Sequence, residues 1–189
     1  MRKHFMLAVV ALLSACTDKN VPPAAQGNAG TVPVTAPAAA PAPSSPSAPD
    51  MLSAEGFQAV RFGMQLAEAE QAVGGKAILP EPFDPVCSMV RFDALPGLRF
   101  MLEHGVVTRA DAGPGLASAL GRIGDTLEQV RRAHPEVHVS VHKYDANGHY
   151  LSLPSADGRS AIILEESGGK VTKMRAGLQP AVSYVETCG

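Results

Sequence analysis

Few residues in this chain have the types and spacings that do chemistry. Its three cysteines are Cys16, Cys87 and Cys188, and a thiol can be acylated, oxidised to a disulfide or recruited as a metal ligand. His138 and His142 stand four apart, which on a helix would turn two imidazoles to one side as a metal pair. Ser140, His142 and Asp145 supply the residue types of a nucleophile, a base and an orienting acid. Asp145-Ala146-Asn147-Gly148 opens like a calcium loop.

The elements that must carry these residues argue against each chemistry. Pro135 is followed by Val137, Val139 and Val141 alternating with His138, Ser140 and His142, which predicts a strand. There the two histidines are roughly 13 Å apart and cannot chelate alone, so they read as exposed surface histidines. No G-x-S-x-G elbow surrounds a serine, so Ser140 and His142 are strand neighbours and no more. The calcium loop fails at its twelfth place, Ala156, where a bidentate Glu is needed, and the segment reads as a turn. No H-E-x-x-H, C-x-x-C pair or phosphate loop occurs. The expectation is no catalytic residue, no metal and no cofactor.

Cys16 is different. Arg2, Lys3 and His4 precede an apolar run from Phe5 to Leu13, too short for the roughly 20 residues that span a bilayer core, and so an export signal. Leu13-Ser14-Ala15-Cys16 resembles the bacterial lipoprotein cleavage box at all four places. That resemblance implies cleavage before Cys16, removal of residues 1–15 and lipidation of Cys16. Three acyl chains would hold the protein firmly, where one would bind only marginally. Thr17 stands where an inner-membrane retention signal would have Asp, although Asp18 follows; the outer membrane, facing the periplasm, is the expected location.

Residues 16–50 continue as a tether. From Val21 to Asp50 there are eight prolines and no charge before Asp50, with no periodic apolar face. The rest, residues 51–189, suffices for one domain. It carries 13 Lys and Arg against 16 Asp and Glu with no basic block, so nucleic acid is not an expected partner. In an oxidising compartment Cys87 and Cys188 are expected to pair, a free or intermolecular thiol being the alternative.

The domain repeats with a period near 61 residues. Arg61-Phe62-Gly63 before Leu66 aligns with Arg122-Ile123-Gly124 before Leu127. Phe100 to Glu103 and Val107-Thr108-Arg109 align with Ile162 to Glu165 and Val171-Thr172-Lys173. Arg61 and Arg122, like Glu103 and Glu165, recur at equivalent places and read as solvated edges or pairs within a sheet. Each unit opens with a short helix: Leu66, Ala69 and Val73 stripe the first, while Leu127 and Val130 stripe the second behind a capping-box spacing from Asp125 to Glu128. Asn147-Gly148 predicts a two-residue hairpin turn returning through Tyr150 to Leu153, and Gly168-Gly169 joins another hairpin. The expected fold is α+β: two tandem repeats, at about 57–113 and 118–177, each a short helix followed by about four antiparallel strands. The helices lie on one face of the sheet, the other face is partly open, and a C-terminal tail follows.

Gly63-Met64 followed by Leu66, Glu70 and Val73-Gly74 resembles the signature of the BamE (SmpA/OmlA) family of small outer-membrane lipoproteins. The tandem arrangement is similar to the beta-lactamase inhibitory protein-like fold, which binds other proteins on its concave sheet. The expected function is that of a non-catalytic cell-envelope lipoprotein, a periplasmic binding or assembly module. Its exposed row His138, Ser140, His142 and Tyr144 would meet a periplasmic or outer-membrane protein. A carbohydrate or peptidoglycan binder is the first alternative, weakened by the absence of Trp, and a hydrolase with an unrecognised site is the second.

Overall fold

The computed structural model describes residues 50–188, so the export signal, Cys16 and the tether up to residue 49 lie outside the described residues. In chain order the elements are β1 (Met51–Leu52), β2 (Gly56–Phe57), β3 (Val60–Arg61), α1 (Leu66–Val73), β4 (Cys87–Val90), β5 (Leu98–Glu103), β6 (Val106–Ala112), β7 (Ala117–Ser118), α2 (Leu127–Ala133), β8 (His138–Val141), β9 (His149–Pro154), β10 (Ser160–Ser167) and β11 (Lys170–Leu178). A short 3-10 turn, Ala181–Ser183, closes the list. The architecture is α+β. Seven strands form one antiparallel sheet in the order β4-β5-β6-β11-β10-β9-β8, and two small ribbons, β1 with β7 and β2 with β3, stand apart from it.

Side-chain alternation divides this sheet into two faces. Phe100 and Leu102 of β5, Ala110 of β6, Leu151 of β9, Ile162 and Leu164 of β10, and Met174 and Ala176 of β11 point to one side. There they join Ala69 of α1, Val130 of α2 and the N-terminal Leu52, Phe57 and Val60 in a single core. The other face holds a small apolar cluster, Ala161, Ile163 and Val182, with Tyr150 against it.

Both helices need tertiary support at this length, and both are capped. In α1 the Gln65 N–H donates to Glu68 Oε2 (2.7 Å), and the helix stops at Gly74 in the left-handed region (φ 74°). In α2 the cap is Thr126: Gln129 N–H donates to Thr126 Oγ1 (3.1 Å), and Gln129 Oε1 accepts from Thr126 N–H (2.7 Å). The expected box from Asp125 to Glu128 is therefore one residue early. The Asp125 carboxylate instead accepts from Arg122 N–H (2.8 Å) and closes the turn before the helix.

Two further expectations change. The first half contributes three strands to the large sheet and the second half four, because residues 74–86 after α1 make a proline-rich loop that meets the sheet at a single bridge, Ile78 to Arg91. The turn after β8 is also wider than two residues. Val141 pairs with His149, and His142 N–H still donates to Gly148 O (3.0 Å), so the reversal lies between 142 and 148. Asp145 nucleates it by accepting from Asn147 N–H (3.0 Å). Gly168 and Gly169, both at positive φ, do form the two-residue turn joining β10 to β11.

Candidate functional site

The face opposite the helices is where the sequence placed its binding row, and the C-terminal segment crosses it. Gln179 to Cys188 runs back over the sheet as a strap, with Ala181 and Val182 buried against it. Its end is fixed by the disulfide Cys87–Cys188, Cα atoms 5.4 Å apart. The partly open face of the expectation is thus half covered.

Two arginines anchor the strap from below. Arg109 of β6 donates from Nη1 to Tyr184 O (2.7 Å) and from Nε to Asp111 Oδ1 (2.7 Å). Arg175 of β11 donates from Nε to Val182 O (2.7 Å) and pairs with Glu165 of β10. Both guanidinium groups are almost wholly buried. A buried charge survives only with partners, and here the carboxylates beneath and the strap's carbonyls above supply them. Neither arginine was singled out as a site residue beforehand. The signal was present, since Arg109 and Asp111, like Lys173 and Arg175, sit at alternate places among small and apolar neighbours in their strands.

Glu165 is the hub. Its side chain is 2% exposed. Burial alone would push the carboxyl up, but Arg175, His142 (Nε2 at 3.3 Å) and Lys173 (Nζ at 3.3 Å) together hold it below its ordinary value. For Arg175 the balance runs the other way: burial, then the neighbouring Arg109 charge, pull it down despite Glu165. It starts so far above neutrality that it stays charged.

His142 is not the exposed histidine the alternation suggested. Its side chain is 11% exposed, stacked on Tyr150 with ring centres 4.6 Å apart. Nδ1 accepts from Tyr144 N–H (3.1 Å), which leaves Nε2 to donate to Glu165. Both ring nitrogens are occupied. The Asp145 carboxylate accepts from Ser167 Oγ as well as Asn147 N–H, and Ser140 stands exposed on β8. Ser140, His142 and Asp145 are therefore not assembled as a triad, and Asp145 serves the turn. Among the described residues no three His, Cys, Asp or Glu side chains gather as a metal site.

The expected four-residue row also breaks up. His138 and Ser140 remain exposed on β8, His142 folds onto Glu165, and Tyr144 lies beyond the strand. The Tyr144 ring is exposed while its hydroxyl donates to Glu186 of the strap, which also takes Lys143 Nζ at 3.2 Å. The tyrosine hydroxyl first, and then Lys143, lowers the Glu186 carboxyl. Between strap and sheet runs a groove of about 790 Å³ lined by Arg91, Arg99, Lys173, Tyr144 and Glu186 among others. Glu166, on the helix side, is engaged separately with His149 Nδ1 (2.7 Å) and Gly169 N–H (2.7 Å).

No helix among the described residues is long and apolar enough to cross a membrane. In comparisons with protein-family models, curated proteins and solved structures, the chain matches none.

Proposed function

We propose that the chain is a non-catalytic lipoprotein of the cell envelope. It is exported, lipidated at Cys16, held at the periplasmic side of the outer membrane on the tether 16–50, and binds a periplasmic or outer-membrane protein. The observation that carries this reading is the state of the strapped face. Its buried ionisable groups are consumed in pairs with one another, and both nitrogens of His142 are taken. A general base needs a free lone pair within reach of a substrate proton, and these groups hold the strap instead. The exposed His138 and Ser140 on β8, and Tyr144 at the groove, are left for a partner. The disulfide supports an oxidising compartment.

In this reading the domain is a duplication, each unit a helix followed by strands. The support is a shared detail of backbone. Gly63 N–H donates to Val107 O and Val107 N–H to Met64 O; Gly124 N–H donates to Val171 O and Val171 N–H to Asp125 O. Gly63 and Gly124 have nearly the same φ, 96° and 97°. The two strands so engaged, β6 and β11, are antiparallel neighbours at the centre of the sheet.

Fatty-acid labelling of cells tests the anchor: label enters the wild type and not Cys16→Ser. Crosslinking in intact cells followed by affinity capture tests the face. A reproducible partner that is lost in Ser140→Arg or Tyr144→Ala supports the reading, and recovery of none at native expression overturns it.

A further inference from the structure

The groove between strap and sheet carries more positive charge than its own carboxylates cancel. Asp111 stands between buried Arg109 (2.7 Å) and exposed Arg99 (3.8 Å), and Glu165 between buried Arg175 and exposed Lys173 (3.3 Å). Two carboxylates thus serve four cations, and each neutralises one charge. Glu186, the third carboxylate lining the groove, is taken by Lys143 and the Tyr144 hydroxyl. Arg91 also lines it, and among the described residues no acid or acceptor meets its side chain. Arg91, Arg99 and Lys173 are therefore uncompensated charges around one opening, in a domain where acids outnumber bases by 16 to 13.

The floor of the groove adds unused donors. Arg109 spends Nε on Asp111 and Nη1 on the carbonyls of Ala181 and Tyr184, while Arg175 spends Nε on Val182 O and Nη1 on Glu165. Nη2 of each has no hydrogen-bond partner among the described residues, and neither nitrogen is sealed from solvent. Both side chains are 4% exposed and both line the groove, so these nitrogens open into it. A nearly buried guanidinium with a free N–H is a strong donor to an anionic acceptor.

From these two observations we propose that the groove holds an acidic peptide segment of the partner protein, its carboxylates meeting Arg91, Arg99 and Lys173 at the rim and the free Nη2 donors within. This rests on the reading of the strapped face as a protein-binding one and names the chemistry that face recognises. Spacing selects the occupant. Arg99 faces Asp111 across β5 and β6, Asp111 faces Arg175 across β6 and β11, and Lys173 lies two places along β11. With strands about 4.8 Å apart and about 3.4 Å per residue, the Cα atoms of Arg99 and Lys173 are roughly 12 Å apart. Carboxylates four places apart on an extended chain span about 13 Å and match that separation. A single phosphate would have to draw both long side chains together at a cost in entropy. Half-buried Ile123 and Val185 offer apolar contact to the side chains between.

The test uses the full chain carrying Cys16→Ser, free of acyl groups, and a fluorescent peptide alternating glutamate with alanine. Anisotropy at low salt is expected to show saturable binding that weakens as salt rises, and no binding of the matching lysine-alanine peptide. Arg99→Gln and Lys173→Gln alter side chains that are 57% and 69% exposed, so thermal unfolding should show both folded. Each is expected to raise the Kd about fivefold. Arg131→Gln, exposed on α2 away from the groove, is expected to leave the Kd unchanged. Absence of saturable binding, or an affinity unmoved by Arg99→Gln and Lys173→Gln, overturns the proposal. Displacement of the peptide by equimolar inorganic phosphate or by phosphatidylglycerol vesicles also overturns it, by assigning the groove to a phosphate. Failure here while a crosslinked partner is still captured in cells leaves the reading of the face standing; peptide binding with no partner captured overturns that reading alone.

Discussion

Replacing Glu165 by glutamine tests whether the strapped face is held by charge. The substitution keeps shape and one acceptor but leaves Arg175 buried without its counter-charge, with Arg109 close enough to depress it further. Removing one member of a buried pair costs about 3 to 5 kcal/mol, mainly because the surviving charge is stranded. Lys173 is largely exposed and contributes little, so the lower end, about 3 kcal/mol, is the better figure. Against a total stability of about 5 to 15 kcal/mol, that would lower the melting temperature by roughly 10 °C. Urea or thermal unfolding at neutral pH measures it. The pH dependence supplies the control. Glu165 titrates lower in the folded chain than its ordinary 4.5, so its stabilisation is complete above that value and is lost as the pH falls through the folded value. The gap between wild type and Glu165→Gln is therefore expected to close in acid. A difference under about 1 kcal/mol at neutral pH, the ordinary worth of a single hydrogen bond, or one that persists unchanged in acid, would refute the charge argument.

Cys188→Ser is expected to cost about 2 to 5 kcal/mol, since the bond closes a loop with a sequence separation of 101, and hydrogen exchange should then open first at residues 185–188, beyond the Arg109 and Arg175 anchors. Gly177→Ala should destabilise by more than about 2 kcal/mol in thermal unfolding, because its Cβ would lie 2.4 Å from Thr108 O and 2.7 Å from Arg109 Cα, where backbone must move. Thr126→Ala should cost about 1 kcal/mol by losing the cap of α2, whereas Asp125→Ala should leave the amide of Gln129 protected in hydrogen exchange.

What the sequence determined by itself was whatever depends on neighbours along the chain. The valine alternation from 137 to 141, the helix stripes at Leu66, Ala69 and Val130, and the Gly168-Gly169 turn follow from local periodicity and backbone freedom, and each lies where the pattern placed it. The pairing of Cys87 with Cys188 was also legible, because no other cysteine of the domain could answer either one. Local signals failed where two neighbouring residues could serve the same role: Asp125 and Thr126 are both good caps, and Asp145 outcompeted Asn147-Gly148 as the start of the turn.

Only the tertiary structure decided the fate of the charged side chains. An arginine in a strand of small residues shows that something polar must meet it, but not that a strap 72 to 75 residues away will bring carbonyl oxygens to Arg109. His142 read as exposed because period-two alternation gives a face and says nothing about what covers it; Glu165 and Tyr150, from two other strands, bury it. Burial and electrostatic pairing are properties of three-dimensional proximity, and the sequence specifies that proximity only through the whole fold.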